Sequence, residues 1–182
     1  MFKKRSFIFS LLLGLVALII LVNNQERNDN KSQVSAIEQD DWQISQSQSW
    51  QINRNQPDQQ QFLKAQFMRK QSEQVFIEQP QLVLQEAEQL IRLDSAHLEI
   101  LNQTRFEFKG NVIVNRHNKD ASQNQRLLTE LLIYNQANDQ LSSPLLVKIE
   151  SQNQITTGVG LVADLKTNHT QLLSEVKTRY VP

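Results

Sequence analysis

Cysteine is absent from the 182 residues. That excludes disulfides, thiolate nucleophiles, cysteine-ligated metals and a lipidated N-terminal cysteine. A domain of this chain must therefore be held by its own packing. Histidine is nearly as scarce, at three residues: His97, His117 and His169. None lies in a metal-ligand spacing such as His-x-x-x-His, and each falls in or beside an expected turn or strand end, where an exposed imidazole is the ordinary outcome. The four glycines form no nucleophile elbow, and Gly158-Val159-Gly160 is too short for a phosphate loop. Asp94-Ser95-Ala96-His97 holds the residue types of a hydrolase triad, but neighbours on a strand point to opposite faces. No catalytic residue, metal site or cofactor is read from the chain. An excess of one charge is missing too. Of 19 basic residues, Lys3, Lys4 and Arg5 precede an apolar run, which leaves 16 against 19 acidic ones. Without a basic patch, nucleic acid is not an expected partner.

What is present begins with that run. Ser6 to Val22 is 17 residues without a charge, at the short limit for a spanning helix. The basic flank keeps the N-terminus in the cytoplasm and sends the remainder across the membrane. A cleaved signal peptide is the competing reading, and no small-x-small site is well placed after Val22. The expected organisation is a cytoplasmic flank at 1–5, a transmembrane anchor at 6–22, a polar linker at 23–41 and one domain at 42–182. The 160 residues after Val22 suffice for a single core.

From Phe106 onward the chain is strand after strand. Phe106, Phe108, Val112 and Val114 alternate with Glu107, Lys109, Asn111 and Asn115, the two-residue period of a half-buried strand, with Gly110 as a bulge or bend. On this pattern Phe108→Asp should be costly and Lys109→Asp nearly silent. Further strands are expected at Leu131–Tyr134, Leu145–Ile149, Gly158–Leu165 and Leu172–Tyr180, separated by turn clusters such as Asn135–Asp139. The glutamine-rich stretch through Gln89 has two readings. Its composition suits a polar helix or disorder, while Trp42, Ile44, Trp50, Ile52, Phe62, Phe67, Val75 to Ile77 and Leu82 to Leu84 supply β-type clusters, with a turn at Asn53–Asp58. The second is favoured. Leu98–Gln103 and Leu131–Gln136 form a faint repeat, each a strand ending in Asn-Gln and followed by a turn and another strand. A meander of similar hairpins explains it, and so does a stack of β units.

Glu78-Gln79-Pro80, Phe108–Val112, Leu128–Leu131, Leu141–Pro144, Thr157–Leu161 and Leu173–Tyr180 occur in this order behind the anchor and linker. The arrangement resembles the LptC family, the membrane-anchored bridge component of lipopolysaccharide export in Gram-negative bacteria. No single motif is specific; their order and spacing carry the likeness. It implies an all-β fold, a twisted open β-jellyroll of antiparallel strands behind one N-terminal helix in the inner membrane, with the domain in the periplasm. It further implies lipopolysaccharide as the ligand, its acyl chains in the apolar interior. The implied partners are the transmembrane subunits of an ABC transporter, met by the anchor helix, and a soluble periplasmic bridge protein, met edge to edge. Leu90–Leu93 departs from the family, where a tryptophan-containing strand is common.

Physically, a lipid conduit needs an apolar lining with space left over. The inward candidates are Phe106, Phe108, Val112, Val114, Ile133, Val147, Ile149, Leu161 and Ala163, with Val176 and Tyr180; ordinary core packing would account for the same residues. Gly158 is expected where two backbones approach closely. The last strand, with Glu175, Val176, Lys177, Thr178, Arg179 and Tyr180, is expected to be an edge that docks the bridge protein by strand addition, or else to pair internally and close the domain. The rival function is a membrane-anchored scaffold that binds proteins through a β edge and carries no lipid.

Overall fold

Alternation of apolar and polar side chains turns nearly every described residue into strand, including the glutamine-rich half. The computed structural model describes residues 41–52, 60–86, 88–164, 167 and 169–180. The expected anchor, the linker up to residue 40 and the turn at Asn53–Asp58 lie outside the described residues. The strands are β1 (Trp42–Ile52), β2 (Gln60–Gln71), β3 (Gln74–Glu78), β4 (Gln81–Glu86), β5 (Gln89–Asp94), β6 (His97–Leu101), β7 (Arg105–Asn118), β8 (Gln125–Asn135), β9 (Gln140–Ser151), β10 (Gln154–Asp164) and β11 (His169–Tyr180). The helical alternative for Gln81–Ile91 is replaced by β4 and β5, whose inward residues Leu84, Ile91 and Leu93 are buried. A helix would have scattered those residues around its axis, whereas the pleat puts them on one side.

All pairings are antiparallel and join the strands into one sheet. β7 to β11 form a simple meander. On the other side of β7, two short pairs share its length: β5 takes residues 113–118 and β6 takes 105–109. β4 and β3 continue these pairs and meet again on the single long strand β2, which β1 covers. β1 and β11 are the two outermost strands among the described residues.

A line of irregularities runs across the whole sheet at one level. β7 breaks register between Lys109 and Val112, β8 between Leu128 and Ile133, and β10 between Val159 and Leu161 against β9 and between Thr157 and Val159 against β11. The line continues through the corners Gln79-Pro80 and Ser95-Ala96, where Gln79 N–H donates to the Ala96 carbonyl and Ala96 N–H to the Gly110 carbonyl. Positive φ angles mark it at Gln46, Gln79, Gly110, Asn111, Gly160 and Glu175. Extra residues and left-handed backbone bend a strand sharply. The sheet therefore creases here, and its two leaves enclose the core.

Bulges free backbone groups from the ladder, and side chains take them up. Glu130 Oε2 accepts from the Asn111 N–H at 3.1 Å. Thr129 and Ser143, both buried, hydrogen-bond to each other at 3.1 Å; the Thr129 hydroxyl reaches the Leu146 carbonyl at 3.0 Å and the Ser143 hydroxyl accepts from the Leu145 N–H at 3.3 Å. Burial of these polar groups is tolerated because they satisfy one another and the interrupted backbone. The core beside the crease is continuous, built on Leu63, Met68, Ile77, Leu93, Leu98, Phe106, Phe108, Leu132, Tyr134, Val147 and Leu161. Phe106 and Tyr134 stack at 5.7 Å between centroids. The faint repeat also has a physical counterpart: the turn after β8 rests on the turn after β6, with Gln136 N–H donating to the Thr104 carbonyl at 2.8 Å.

Candidate functional site

The interior is not completely filled by its own side chains. A cavity of about 300 Å³ lies between the leaves, lined by Val114, Leu127 and Ile149 from one and by Leu132, Leu141, Leu161 and Ala163 from the other. Ile91, Arg116 and Gln125 contribute at one end and Thr170 at another part of the wall. The register explains the lining. Leu93, Val114, Leu127, Ile149 and Thr156 are successive cross-strand partners on the inward face of β5 and β7 to β10. Direct partners in an antiparallel pair project to the same side.

Of the residues expected to face inward, Phe106, Phe108, Val112, Val147, Leu161 and Ala163 are fully buried, and Val114 and Ile149 pack against the core. Val114, Ile149, Leu161 and Ala163 line the cavity. Phe106, Phe108, Val112 and Val147 are in the core without forming part of its wall.

Ile133 is a correction. It pairs with Glu107 on the outward face, and Leu132 and Tyr134 hold the inward positions opposite Phe108 and Phe106. A continuous apolar run such as Leu131–Tyr134 carries no parity of its own, and β8 changes its inward count across its register break, from Leu127 and Thr129 on one leaf to Leu132 and Tyr134 on the other.

The sequence reasoning passed over Leu127, Leu132, Leu141 and Arg116 in the cavity wall and the buried pair Thr129 and Ser143 at the crease. Arg116 follows Val112 and Val114 in strict alternation and pairs with Ile91, so it enters the inward face at the cavity's end. Burial holds its pKa below the usual arginine value. Its Nε donates to Asn118 Oδ1 at 3.2 Å. The alternation itself was the available signal. Thr129 and Ser143, the buried crease pair, carried no such signal, because nothing local marks where a strand will be interrupted.

The outward face is charged. Lys109 bridges Glu99 at 2.7 Å and Glu107 at 2.9 Å, and Arg105 reaches Glu107 at 2.6 Å. The Lys109 hydrogen bond, above all, lowers the Glu107 pKa. Lys109→Asp would set a third carboxylate among these, so the expectation that it is silent does not survive the geometry.

At the other candidate site, β11 pairs with β10 and presents its far side to solvent. Val176, Thr178 and Tyr180 share the inward side, and the Thr156 and Thr178 hydroxyls bond at 3.1 Å. Val176 is nonetheless 53% exposed and Tyr180 76% exposed, since no further strand covers them. Lys177 and Arg179 face outward, whereas Glu175 sits in the bulge with φ of 52°. Gly158 is buried tight against β11: a Cβ there would lie 3.1 Å from Leu172 Cδ1 and 3.2 Å from the Ser174 carbonyl oxygen.

The three histidines are exposed at or near strand ends. Asp94 accepts from Arg92 at 2.7 Å and the Ser95 hydroxyl donates to the His97 carbonyl at 2.9 Å, so these residues form no relay. Among the described residues no group of three or more His, Asp or Glu could hold a metal ion, and no helix is long and apolar enough to cross a membrane.

The model of the family described as lipopolysaccharide-assembly, LptC-related matches residues 9–181. The chain belongs to the LptC family. Its membership gives this chain a role in lipopolysaccharide transport. No curated protein matches it by sequence. Among solved structures, it is similar to the crystal structure of LptH, the LptA homologous periplasmic component of the conserved lipopolysaccharide transport device from Pseudomonas aeruginosa. The two are 9% identical, with a TM-score of 0.46 over 80% of this chain and 97% of that chain.

Proposed function

We propose that this LptC-family domain is an open β-jellyroll trough that takes lipopolysaccharide by its acyl chains and hands it to a soluble periplasmic bridge protein docked on β11. The apolar cavity between the leaves carries this reading. Packed interiors ordinarily leave few voids larger than a water molecule, and a roomy apolar space with a few polar groups at one end suits an amphiphile. The hand-off follows from the edge. β11 offers unpaired backbone groups on one side and uncovered Val176 and Tyr180 on the inward side, so an added strand would extend both the ladder and the apolar lining. The N-terminal apolar run would anchor the domain in the inner membrane beside the transmembrane subunits of an ABC transporter, which would supply the ATP hydrolysis.

Photo-crosslinking in cells tests the lipid reading. A photoreactive residue at Val114 or Ile149 should capture lipopolysaccharide, and one at outward-facing Ile133 should not. Equal capture from all three positions, or none, would refute it. Deleting Glu175 to Pro182 should abolish capture of the bridge protein and spare association with the transporter. Crosslinks to protein alone would support the scaffold reading instead.

A further inference from the structure

The outer surfaces of the two leaves differ in charge. On the leaf whose inward side carries Leu93, Val114, Leu127 and Ile149, the outward strand positions hold Lys64, Arg92, Arg126, Lys148, Lys177 and Arg179 against only Asp94 and Glu150. On the other leaf, Arg69, Arg105 and Lys109 are outnumbered by Glu78, Glu99, Glu107 and Asp164. One outer face is thus strongly basic, although the residues beyond Val22 are acidic overall. At the β1 end of that face the charges give way to apolar side chains. Trp50, Phe62 and Val83 are successive cross-strand partners, and Leu90 lies diagonally across from Val83. Trp50 is 68% exposed and Leu90 36%. We propose that this face lies against the surface of an anionic phospholipid bilayer, with Trp50 at the level of the headgroups and Lys64 on the phosphates beside it.

The apolar group is not surplus core. Leu63, Leu84 and Ile91 hold the inward positions of the same strands and are buried, so the pleat turns Phe62, Val83 and Leu90 outward. Single exposed apolar residues are common, whereas an adjoining set with a tryptophan at its rim marks a surface that something covers. An indole has an apolar body and one polar N–H, which suits the boundary between acyl chains and water. The charges select the covering surface. Arg92 pairs with Asp94, and Lys148 and Arg126 lie against Glu150, so the excess rests chiefly with Lys64, Lys177 and Arg179. Lysine and arginine are drawn to anionic headgroups within a Debye length, while protein interfaces are depleted in lysine. The inference rests on the reading of Ser6 to Val22 as an anchor. Nineteen residues separate Val22 from Trp42 and span at most ~70 Å when extended, which keeps the domain within reach of its own bilayer. The acidic outer face would then point away from the membrane.

The test uses the full chain reconstituted into vesicles of phosphatidylcholine, or of phosphatidylcholine and phosphatidylglycerol in equal parts, with the phosphatidylcholine brominated high on its acyl chains. The chain has two tryptophans, so Trp42→Phe reports on Trp50 alone and Trp50→Phe on Trp42, which packs against the core. Trp50 should be quenched and shifted to shorter wavelength in the phosphatidylglycerol vesicles, and the quenching should fade as salt rises. Trp42 should stay unquenched in both. Lys64→Glu with Lys177→Glu, two exposed positions, should remove the Trp50 quenching and leave the Trp42 emission unchanged. Quenching of Trp50 that is equal in the two vesicles, or that survives the charge reversals, would overturn the anionic surface. An unquenched Trp50 in a chain that floats with the vesicles would overturn this inference alone and leave the face to an acidic protein. A chain that stays in solution would refute the anchor reading and this inference with it.

Discussion

Gly158→Arg should detach β11 while the rest of the sheet stays folded. Gly158 is buried on the inward side between Val147 and β11, and even a methyl group would press on Leu172 and the Ser174 carbonyl at 3.1 to 3.2 Å. Forcing one carbon into such a site costs about 1–3 kcal/mol, so Gly158→Ala should fold with a modest loss. Arginine adds a long chain and a charge beside fully buried Val147, at several kcal/mol if the fold were kept. Releasing the final strand relieves the clash for less. β11 has one neighbour, its residues are exposed apart from half-buried Leu172, and water can replace its bonds to β10. Hydrogen exchange should show amides of residues 170–180 losing protection in Gly158→Arg while those of β7 and β8 keep theirs, and the variant should lose capture of the bridge protein. Unchanged β11 protection would refute the reasoning, as would collapse of the whole sheet.

Three more outcomes are expected. Phe108→Ala should destabilise the domain by about 3–5 kcal/mol in urea titration, against less than about 1 kcal/mol for Lys109→Ala, whose ion pairs are partly exposed. Thr129→Val should cost about 1–3 kcal/mol, because it strands the Leu146 carbonyl and the Ser143 hydroxyl at the crease, whereas the double change with Ser143→Ala should cost less than the sum of the two single changes. Glu107 titrates below the ordinary glutamate value near 4.5, so its contribution is present above that pH and is lost as the pH falls through its lower folded value; a melting-temperature profile below pH 5 should flatten in Glu107→Gln.

Much of the architecture was legible because period-two patterns survive where composition misleads. Trp42, Ile44, Phe62 and Leu82 to Leu84 marked strands in a stretch whose glutamines argued for helix or disorder, since a half-buried strand needs only every second residue to be apolar. Phe106 to Val114 gave facing as well as strand type. Facing failed at Ile133, in a run without alternation. The crease was mostly illegible. Gly110 hinted at it, but Gln46, Gln79, Asn111 and Glu175 adopt left-handed backbone because the folded sheet requires it at those positions. The cavity was illegible for a related reason: unfilled volume depends on how two leaves close, which no single strand encodes.

The bulge at Glu175 has a consequence for the exposed edge. A straight edge lets an incoming strand slide by two residues and re-form equivalent backbone bonds. β11 is notched instead, passing from Ser174 to Lys177 while β10 passes from Val159 to Thr157. A strand seated out of step would meet the notch with the wrong residue and forfeit the bonds on one side of it. If a bridge protein docks here as proposed, the edge would work like a keyed joint, in which one offset engages both leaves at once and would bring the lining of one trough level with the lining of the next.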